Sequence, residues 1–251
     1  MNTQNNPIGR VAIVTGANKG IGKEVARKLA QAGLTVLLGS RDERRGTTAA
    51  EELAASGLDV RLLQLDVTDA ASIAAAHDRV VNEFGHLDVL VNNAAYSGGI
   101  NKPSEVEVDT MRRVLETNVL GYVAVTNAFL PLLRQSSPPR IVNVSSNWGS
   151  FADITDPNYL ESPDFFWAFP YAVSKTAINA LTVHSANELR DTNIKVNVVN
   201  PGLRDTEIAG VPMRGAGDPA GGATHIVEMA LLPDDGPTGT LHNDDGTTHY
   251  W

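Results

Sequence analysis

Short runs of β-branched and aliphatic residues alternate along this chain with stretches whose apolar positions recur every three to four residues. Arg10–Thr15 (RVAIVT) reads as a buried strand, and Gly20–Ala32 as a helix with Ile21, Val25, Ala26 and Leu29 on one face and Gly33 as its stop. The alternation continues with a strand at Thr35–Gly39, a helix at Glu43–Ala55 and a strand at Val60–Leu65. A helix over Ala70–Phe84 and a strand at Leu87–Val91 follow. Two helical stretches cover Ser104–Arg134, the second ended or kinked at Pro131. Strand Arg140–Val144, helix Tyr171–Arg190 and strand Lys195–Val199 come next, then a helix over Ala223–Leu232 and a short strand at Thr240–His242. Near-continuous apolar strands separated by helices mean parallel βαβ units with both sheet faces covered. The expected fold class is therefore α/β, a doubly wound Rossmann-type parallel sheet with helices on both faces.

No break in composition divides the chain, so residues 1–251 are read as one domain. Two segments depart from the regular pattern. Gly149–Pro170 is rich in Pro and aromatic residues, and Leu203–Gly222 in Gly and Pro; both follow predicted strands, where open α/β sheets place ligand loops. They are read as an aromatic-rich insertion and a substrate loop.

Composition narrows the field by exclusion. The 251 residues hold no Cys, which removes disulfides, thiol nucleophiles and Cys-ligated metals. A net charge of −9 argues against nucleic acid as a partner, since phosphate binding needs a basic face. No run reaches the ~18 apolar residues of a membrane span. The opening MNTQNNPIGR lacks a charged-then-apolar leader, and a cytoplasmic protein is expected. The six His (77, 86, 184, 225, 242 and 249) never stand at a ligand spacing, so no metal site is expected.

Chemistry enters at Thr15-Gly-Ala-Asn-Lys-Gly-Ile-Gly22, between the first strand and the first helix. Gly16 permits a tight turn, Gly20 a close backbone approach and Gly22 close helix–strand packing, with the helix N-terminus turned to an anion. A bare βα turn and a pyrophosphate loop both fit that wording; its position between strand and helix favours the second. No Lys-Ser/Thr pair follows at the spacing of a triphosphate loop. At the end of the second strand, where an NAD site places an acid on the ribose 2′-OH, the chain reads Gly39-Ser40-Arg41. A guanidinium there, with Lys19 in the glycine loop, suits a 2′-phosphate, and NADP(H) is the favoured cofactor. The other reading of Arg41 is a solvated loop residue, with Asp42 and Glu43 diluting its charge.

Tyr171 and Lys175 stand four apart on one predicted helix, hence on one face. A phenol near pKa 10 is a poor neutral-pH acid, and a nearby ammonium favours the phenolate. The alternative is a half-buried Tyr beside an exposed Lys. Ser145 and Ser146 directly follow the strand Arg140–Val144, where a hydroxyl can bond a carbonyl oxygen as charge develops on it. Asn118 lies inside a helical stretch and either holds a water or marks a kink.

Together these residues resemble the short-chain dehydrogenase/reductase family, and within it carbonyl-reductase-like members. The matches run in family order: the glycine loop, Leu65-Asp66-Val67, Asn92-Asn93-Ala94-Ala95, Asn118, Val144-Ser145-Ser146, Tyr171-Ala-Val-Ser-Lys175 and Asn200-Pro201-Gly202. The resemblance implies NADP(H)-dependent reduction of ketones or aldehydes, or the reverse oxidation of alcohols. It implies Tyr171 as general acid, Lys175 as the group that lowers its pKa and holds the ribose, Ser146 on the substrate carbonyl and Asn118 on a water. For the cofactor it implies Gly16, Asn18, Lys19, Gly20, Ile21, Gly22, Ser40, Arg41, Asp66, Val67, Asn93, Ala94, Tyr171, Lys175, Pro201, Gly202 and Thr206.

Three departures accompany the resemblance. Ala95 replaces the usual Gly, Arg204 stands where a small apolar residue is usual beside the nicotinamide amide, and the Ser146–Tyr171 interval is long. The added segment carries Tyr159, Phe165, Phe166, Trp167 and Phe169. It is read either as a substrate wall or as a plug over the core or a dimer face. The expected substrate pocket is Tyr96, Trp148, Phe166, Trp167 and Leu203, suited to an aromatic or bulky apolar carbonyl. A small-molecule partner, no nucleic acid, no membrane and a family-level homo-oligomer complete the expectation. A non-catalytic NADP-binding sensor on the same fold is the rival from another class.

Overall fold

The computed structural model describes residues 9–160, 168–206, 208 and 215–251, without the Tyr159 and Leu160 side chains. Its sheet has strand order β3-β2-β1-β4-β5-β6-β7-β8. The strands are β1 (Val11–Val14), β2 (Thr35–Ser40), β3 (Val60–Gln64), β4 (Val89–Asn92), β5 (Arg140–Val144), β6 (Lys195–Val199), β7 (Leu241–His242) and β8 (Thr248–His249). β1 through β7 pair in parallel, and β8 turns back antiparallel on β7. The order reverses between β1 and β4, which opens a crevice beyond the carboxyl ends of those strands, where doubly wound sheets bind ligands.

The helices are α1 (Gly20–Gln31), α2 (Glu43–Ala54), α3 (Ala70–Glu83), α4 (Val108–Leu115), α5 (Gly121–Leu133), α6 (Phe151–Ile154), α7 (Pro157–Leu160), α8 (Phe169–Glu188) and α9 (Pro219–Ala230). Strand residues alternate between two apolar layers, as a period of two requires. Ala12 and Val14 face Val25, Leu29, Leu53 and Ile226 of α1, α2 and α9. Val11 and Ile13 face Ile73, Val80, Val125 and Phe129 of α3 and α5. Both faces are thus covered, and the strand runs read as continuously apolar for that reason.

Several boundaries differ from the sequence expectation for identifiable reasons. Pro131 does not end α5 at its own position: the helix continues to Leu133, and Arg134 N–H still reaches the Leu130 carbonyl at 3.0 Å. Proline removes one donor, and one remaining turn is enough to close the helix. α9 starts a turn before the expected Ala223, because the Asp218 carboxylate accepts the Ala220 N–H at 2.8 Å and Pro219 occupies the first helical position. The strand expected from Leu87 begins at Val89, because Leu87 N–H turns to the Leu132 carbonyl instead of a neighbouring strand. The insertion after β5 is partly helical, with a 3₁₀ turn at Asn147–Gly149 and the short α6 and α7.

Arg140 is a charged residue inside this core, fully buried at the start of β5. Its guanidinium reaches the Leu232 carbonyl (2.6 and 2.9 Å), the Pro139 and Asn193 carbonyls and the Asp234 carboxylate (3.0 Å). It ties the segment after α9 to the sheet, and its donors are spent as a buried charge requires.

Candidate active site

The loop after β1 is shaped by what Gly16 lacks. Its φ of +62° favours glycine, and a Cβ there would lie 2.8 Å from Ala94 Cα. Asn93 clips the loop from the β4 side: its side-chain amide donates to the Thr15 and Gly16 carbonyls at 2.9 and 3.2 Å. Thr15 Oγ1 in return accepts the Asn93 and Ala94 N–H groups at 2.9 and 3.0 Å. Asn93 and Ala94 thus build the floor of the site by fixing backbone, a role the sequence did not specify. The α1 N-terminus receives no side-chain cap from Lys19, which leaves its first N–H groups facing the crevice. That cradle fits a pyrophosphate.

Asn18 and Lys19 line a cavity of about 390 Å³ with Lys23, Arg44, Arg45, Thr48, Ala49 and Glu52. Lys23 is paired with Glu52 at 2.5 Å, and Arg45 lies 3.6 Å from Asp42. The exposed Arg41 guanidinium has no carboxylate partner among the described residues, nor does that of Arg44. Sequence reasoning stopped at Arg41 and missed Arg44 and Arg45. The signal was the run Arg41-Asp42-Glu43-Arg44-Arg45, whose helical half turns cations toward the glycine loop. Ser40 is buried and its hydroxyl is used on the Asp42 carbonyl at 2.8 Å. Asp66 holds Thr68 through its carboxylate (2.7 and 2.9 Å) and lines a second groove with Arg41. Val67 packs against Gly121 of α5.

α8 carries Tyr171 and Lys175 on one face, with the Lys175 Nζ 5.0 Å from the centre of the Tyr171 ring. Lys175 is buried, and its Nζ donates to the Val144 carbonyl at 2.7 Å. An ammonium has three donors, so two remain for a ligand. Gly149 after β5 packs so closely on Lys175 that a Cβ would lie 2.5 Å from its carbonyl carbon, which brings the Ser146 turn onto α8. Burial lowers the Lys175 pKa from 10.5 to about 7 and pushes the Tyr171 phenol well above its ordinary range. The sequence reading expected the ammonium to lower the phenol. In the chain alone desolvation governs both shifts.

The two serines separate cleanly. Ser145 is buried and bonds Asn179 Oδ1 at 2.7 Å, a structural role. Ser146 is half-buried; its hydroxyl accepts the Trp148 N–H at 3.3 Å and donates to Asn147 Oδ1 at 3.2 Å. Rotating that donor from Asn147 would free it for a ligand oxygen. Asn118 is fully buried in a π-turn at Glu116–Leu120, between α4 and α5. Its amide grips the Tyr96 backbone (2.8 and 3.0 Å) and Ser174 Oγ (2.9 Å). Both side-chain donors are therefore taken. Asn118 thus braces an irregular helical turn, the structural of its two readings.

Tyr96, Trp148 and Leu203 follow β4, β5 and β6, so all three stand at the carboxyl end of the sheet, Tyr96 and Leu203 about 40% exposed. Phe166 and Trp167 lie outside the described residues, as does Phe165. After β6, Thr206 comes back over the glycine loop, its Cγ2 3.4 Å from where a Gly20 Cβ would stand. A parallel bridge pairs Arg204 with Gly217, and Leu203 O and Asp205 N bond Gly217. By that geometry the N–H and C=O of Arg204 itself project to the opposite side. The Arg204 side chain turns back to the Pro201 carbonyl (2.6 Å) and to Asp244, away from that backbone edge.

A family model described as short chain dehydrogenase matches residues 10–213. The chain belongs to the short-chain dehydrogenase family. The chain is 35% identical to Short-chain dehydrogenase/reductase 1 of Saponaria officinalis, with 96% of each chain covered. It is 34% identical to carbonyl reductase (NADPH) 1 of Sus scrofa, over 94% of this chain and 92% of that one. Among solved structures, salutaridine reductase of Papaver somniferum superposes with a TM-score of 0.79 at 32% identity, covering 92% of this chain and 99% of the other. A single-residue variant of actinorhodin polyketide ketoreductase, solved with NADPH, gives 0.81 at 28% identity, over 94% and 95%. Among the described residues, no helix of the dehydrogenase is long and apolar enough to cross a membrane.

Proposed function

We propose that this protein is an NADPH-dependent reductase of ketones and aldehydes, with Tyr171 as general acid. The observation that carries the reading is the buried Lys175, whose Nζ lies 5.0 Å from the centre of the Tyr171 ring and donates to the Val144 carbonyl, two residues before Ser146. Relatives named for reduction of a carbonyl, of salutaridine and of isopiperitenone support it. Bound NADPH supplies the hydride that reduces the carbonyl carbon.

The chain's own residues do the rest. The glycine loop and the α1 N-terminus hold the pyrophosphate, while Arg41 and Arg44, with Lys19, surround a 2′-phosphate. Ser146 donates to the substrate oxygen, and Tyr171 delivers the proton to that oxygen as charge develops there. Lys175, with two donors free, holds ribose hydroxyls, and its charge stabilises the phenolate left after proton transfer. Tyr96, Trp148 and Leu203 present apolar surface to a bulky or aromatic substrate, with Phe166 and Trp167 proposed alongside. Oxidation of the matching alcohol uses the same groups in reverse.

The test follows absorbance of reduced nicotinamide with NADPH and NADH in parallel against cyclic, aromatic and aliphatic ketones and aldehydes. Substrate-dependent loss of absorbance that prefers NADPH is the expected result. Tight NADPH binding without turnover across the panel would overturn the reading in favour of an NADP-binding sensor.

A further inference from the structure

The C-terminal hairpin β7–β8 touches both segments that flank the catalytic groups. On one side, Asp244 in its turn meets the Arg204 guanidinium, which also donates from Nε to the Pro201 carbonyl at 2.6 Å. Four glycines surround that pair. A Cβ on Gly202 would lie 2.6 Å from the Asp244 carboxylate, and one on Gly222 would lie 2.9 Å from Arg204 Cγ. Added carbons on Gly217 and Gly221 would crowd Arg204 Nη1. The arginine therefore sits in a slot with room for nothing larger. The bonds Asp205 N–H to Gly217 O (2.8 Å) and Gly217 N–H to Leu203 O (3.0 Å) close beside it.

On the other side, β8 and the residues after it hold the segment that follows Ser146. His249 Nε2 lies 2.8 Å from Asp153 Oδ2. Ser150 Oγ donates to the Tyr250 carbonyl at 3.0 Å, and Ala152 N–H to the Trp251 carbonyl at 3.3 Å. The hairpin itself is anchored to β6, since Asn200 bonds the His242 carbonyl (2.8 Å) and Asn243 Oδ1 (3.2 Å). One hairpin thus contacts two loops that share no ladder with each other among the described residues.

We infer that this hairpin is the positioning device for the reductase reaction proposed above, on which the inference rests. Asp244, acting through Arg204, holds the free backbone edge of residue 204 and Thr206 against the nicotinamide end of the crevice. His249, acting through Asp153, holds the Ser146–Trp148 turn against the substrate. Arg204, Asp153, Asp244 and His249 are positioning residues. The two stations act on different backbone segments: one holds the residue 204–206 edge and the other the turn that carries Ser146.

The experiment compares Asp244→Ala, Asp244→Glu and His249→Ala with wild type, each with NADPH, by amide hydrogen exchange and steady-state kinetics. Loss of one charge-assisted hydrogen bond predicts about tenfold faster exchange at the Asp205 and Gly217 amides in Asp244→Ala. The same variant is expected to lose about tenfold in kcat while the NADPH Kd stays within about threefold, since the glycine loop and Arg41 are untouched. Asp244→Glu restores most of both. His249→Ala leaves exchange at Gly217 unchanged, speeds exchange at the Ala152 amide about threefold or more, and lowers kcat/KM for ketone about threefold or more. Unchanged exchange in Asp244→Ala overturns the inference, as does a fall in apparent kcat that merely tracks loss of folded protein. Should wild type bind NADPH yet reduce no ketone, the proposed function fails alone, and the exchange result still decides whether the hairpin holds the loop.

Discussion

At the scale of single residues, Lys175 is the most informative group. It is buried, makes one hydrogen bond to a backbone carbonyl, and has a pKa lowered from 10.5 to about 7 by desolvation. Between those values the unfolded chain holds more protons than the folded one, so this residue makes stability climb as pH rises through the window. Lys175→Met removes the buried charge. Its Tm without cofactor is expected to exceed that of wild type at pH 7, with the gap narrowing toward pH 10; a gap independent of pH would place the lysine elsewhere. The same residue shows where sequence reading reaches its limit. Its four-residue spacing from Tyr171 was legible, but the Val144 carbonyl that accepts its hydrogen bond comes from strand β5, 31 residues away. Arg41 and Arg44 carry a second prediction at this scale. Neither has a carboxylate partner among the described residues, so Arg41→Ala combined with Arg44→Ala should raise the NADPH Kd about tenfold or more and leave that of NADH within about threefold. Equal losses for the two cofactors, read by fluorescence titration, would contradict a 2′-phosphate contact.

At the scale of elements, helix ends and loop geometry were less legible than strand cores. Strands β5 and β6 match the expected residues because their β-branched cores Ile141-Val142 and Val198-Val199 lie in short, clearly bounded runs. The early start of α9 was readable from Asp218-Pro219, a cap followed by a helix-starting proline, and was passed over. The π-turn was not readable, because Asn118 is held by the Tyr96 backbone and by Ser174, partners 22 and 56 residues away. The glycine loop offers the sharpest element-level prediction. A methyl on Gly22 would lie 2.5 Å from Asn93 Nδ2 and 2.8 Å from the Gly16 carbonyl, atoms fixed by the β4 clip. Gly22→Ala is expected to lower stability by about 1–3 kcal/mol, as overpacking does, and to abolish NADPH binding. Thermal melts with and without cofactor would check both; a variant that still shifts its Tm with NADPH would show that the clip yields.

At the scale of the whole molecule, the strand order brings together residues that lie far apart in the sequence. The reversal between β1 and β4 opens the crevice, and the loops after β1, β4, β5 and β6 all end on it. That placement follows from the alternation of strand and helix, so the fold could be read from the sequence, while the roles expected of Ser146, Tyr171 and Lys175 came from the family resemblance. The partnership of Arg204 with Asp244 could not, because it depends on a hairpin that closes 40 residues later. Tyr171 is where fold, cofactor and chemistry meet, and the most direct test replaces it by Phe. Turnover of NADPH with the best ketone substrate and an NADPH binding titration should be measured on wild type and variant together. Tyr171→Phe is predicted to lose turnover by about a hundredfold or more, the scale of a general acid, while binding NADPH within about threefold of wild type. Turnover retained in the variant would contradict the assignment of Tyr171 as the proton donor.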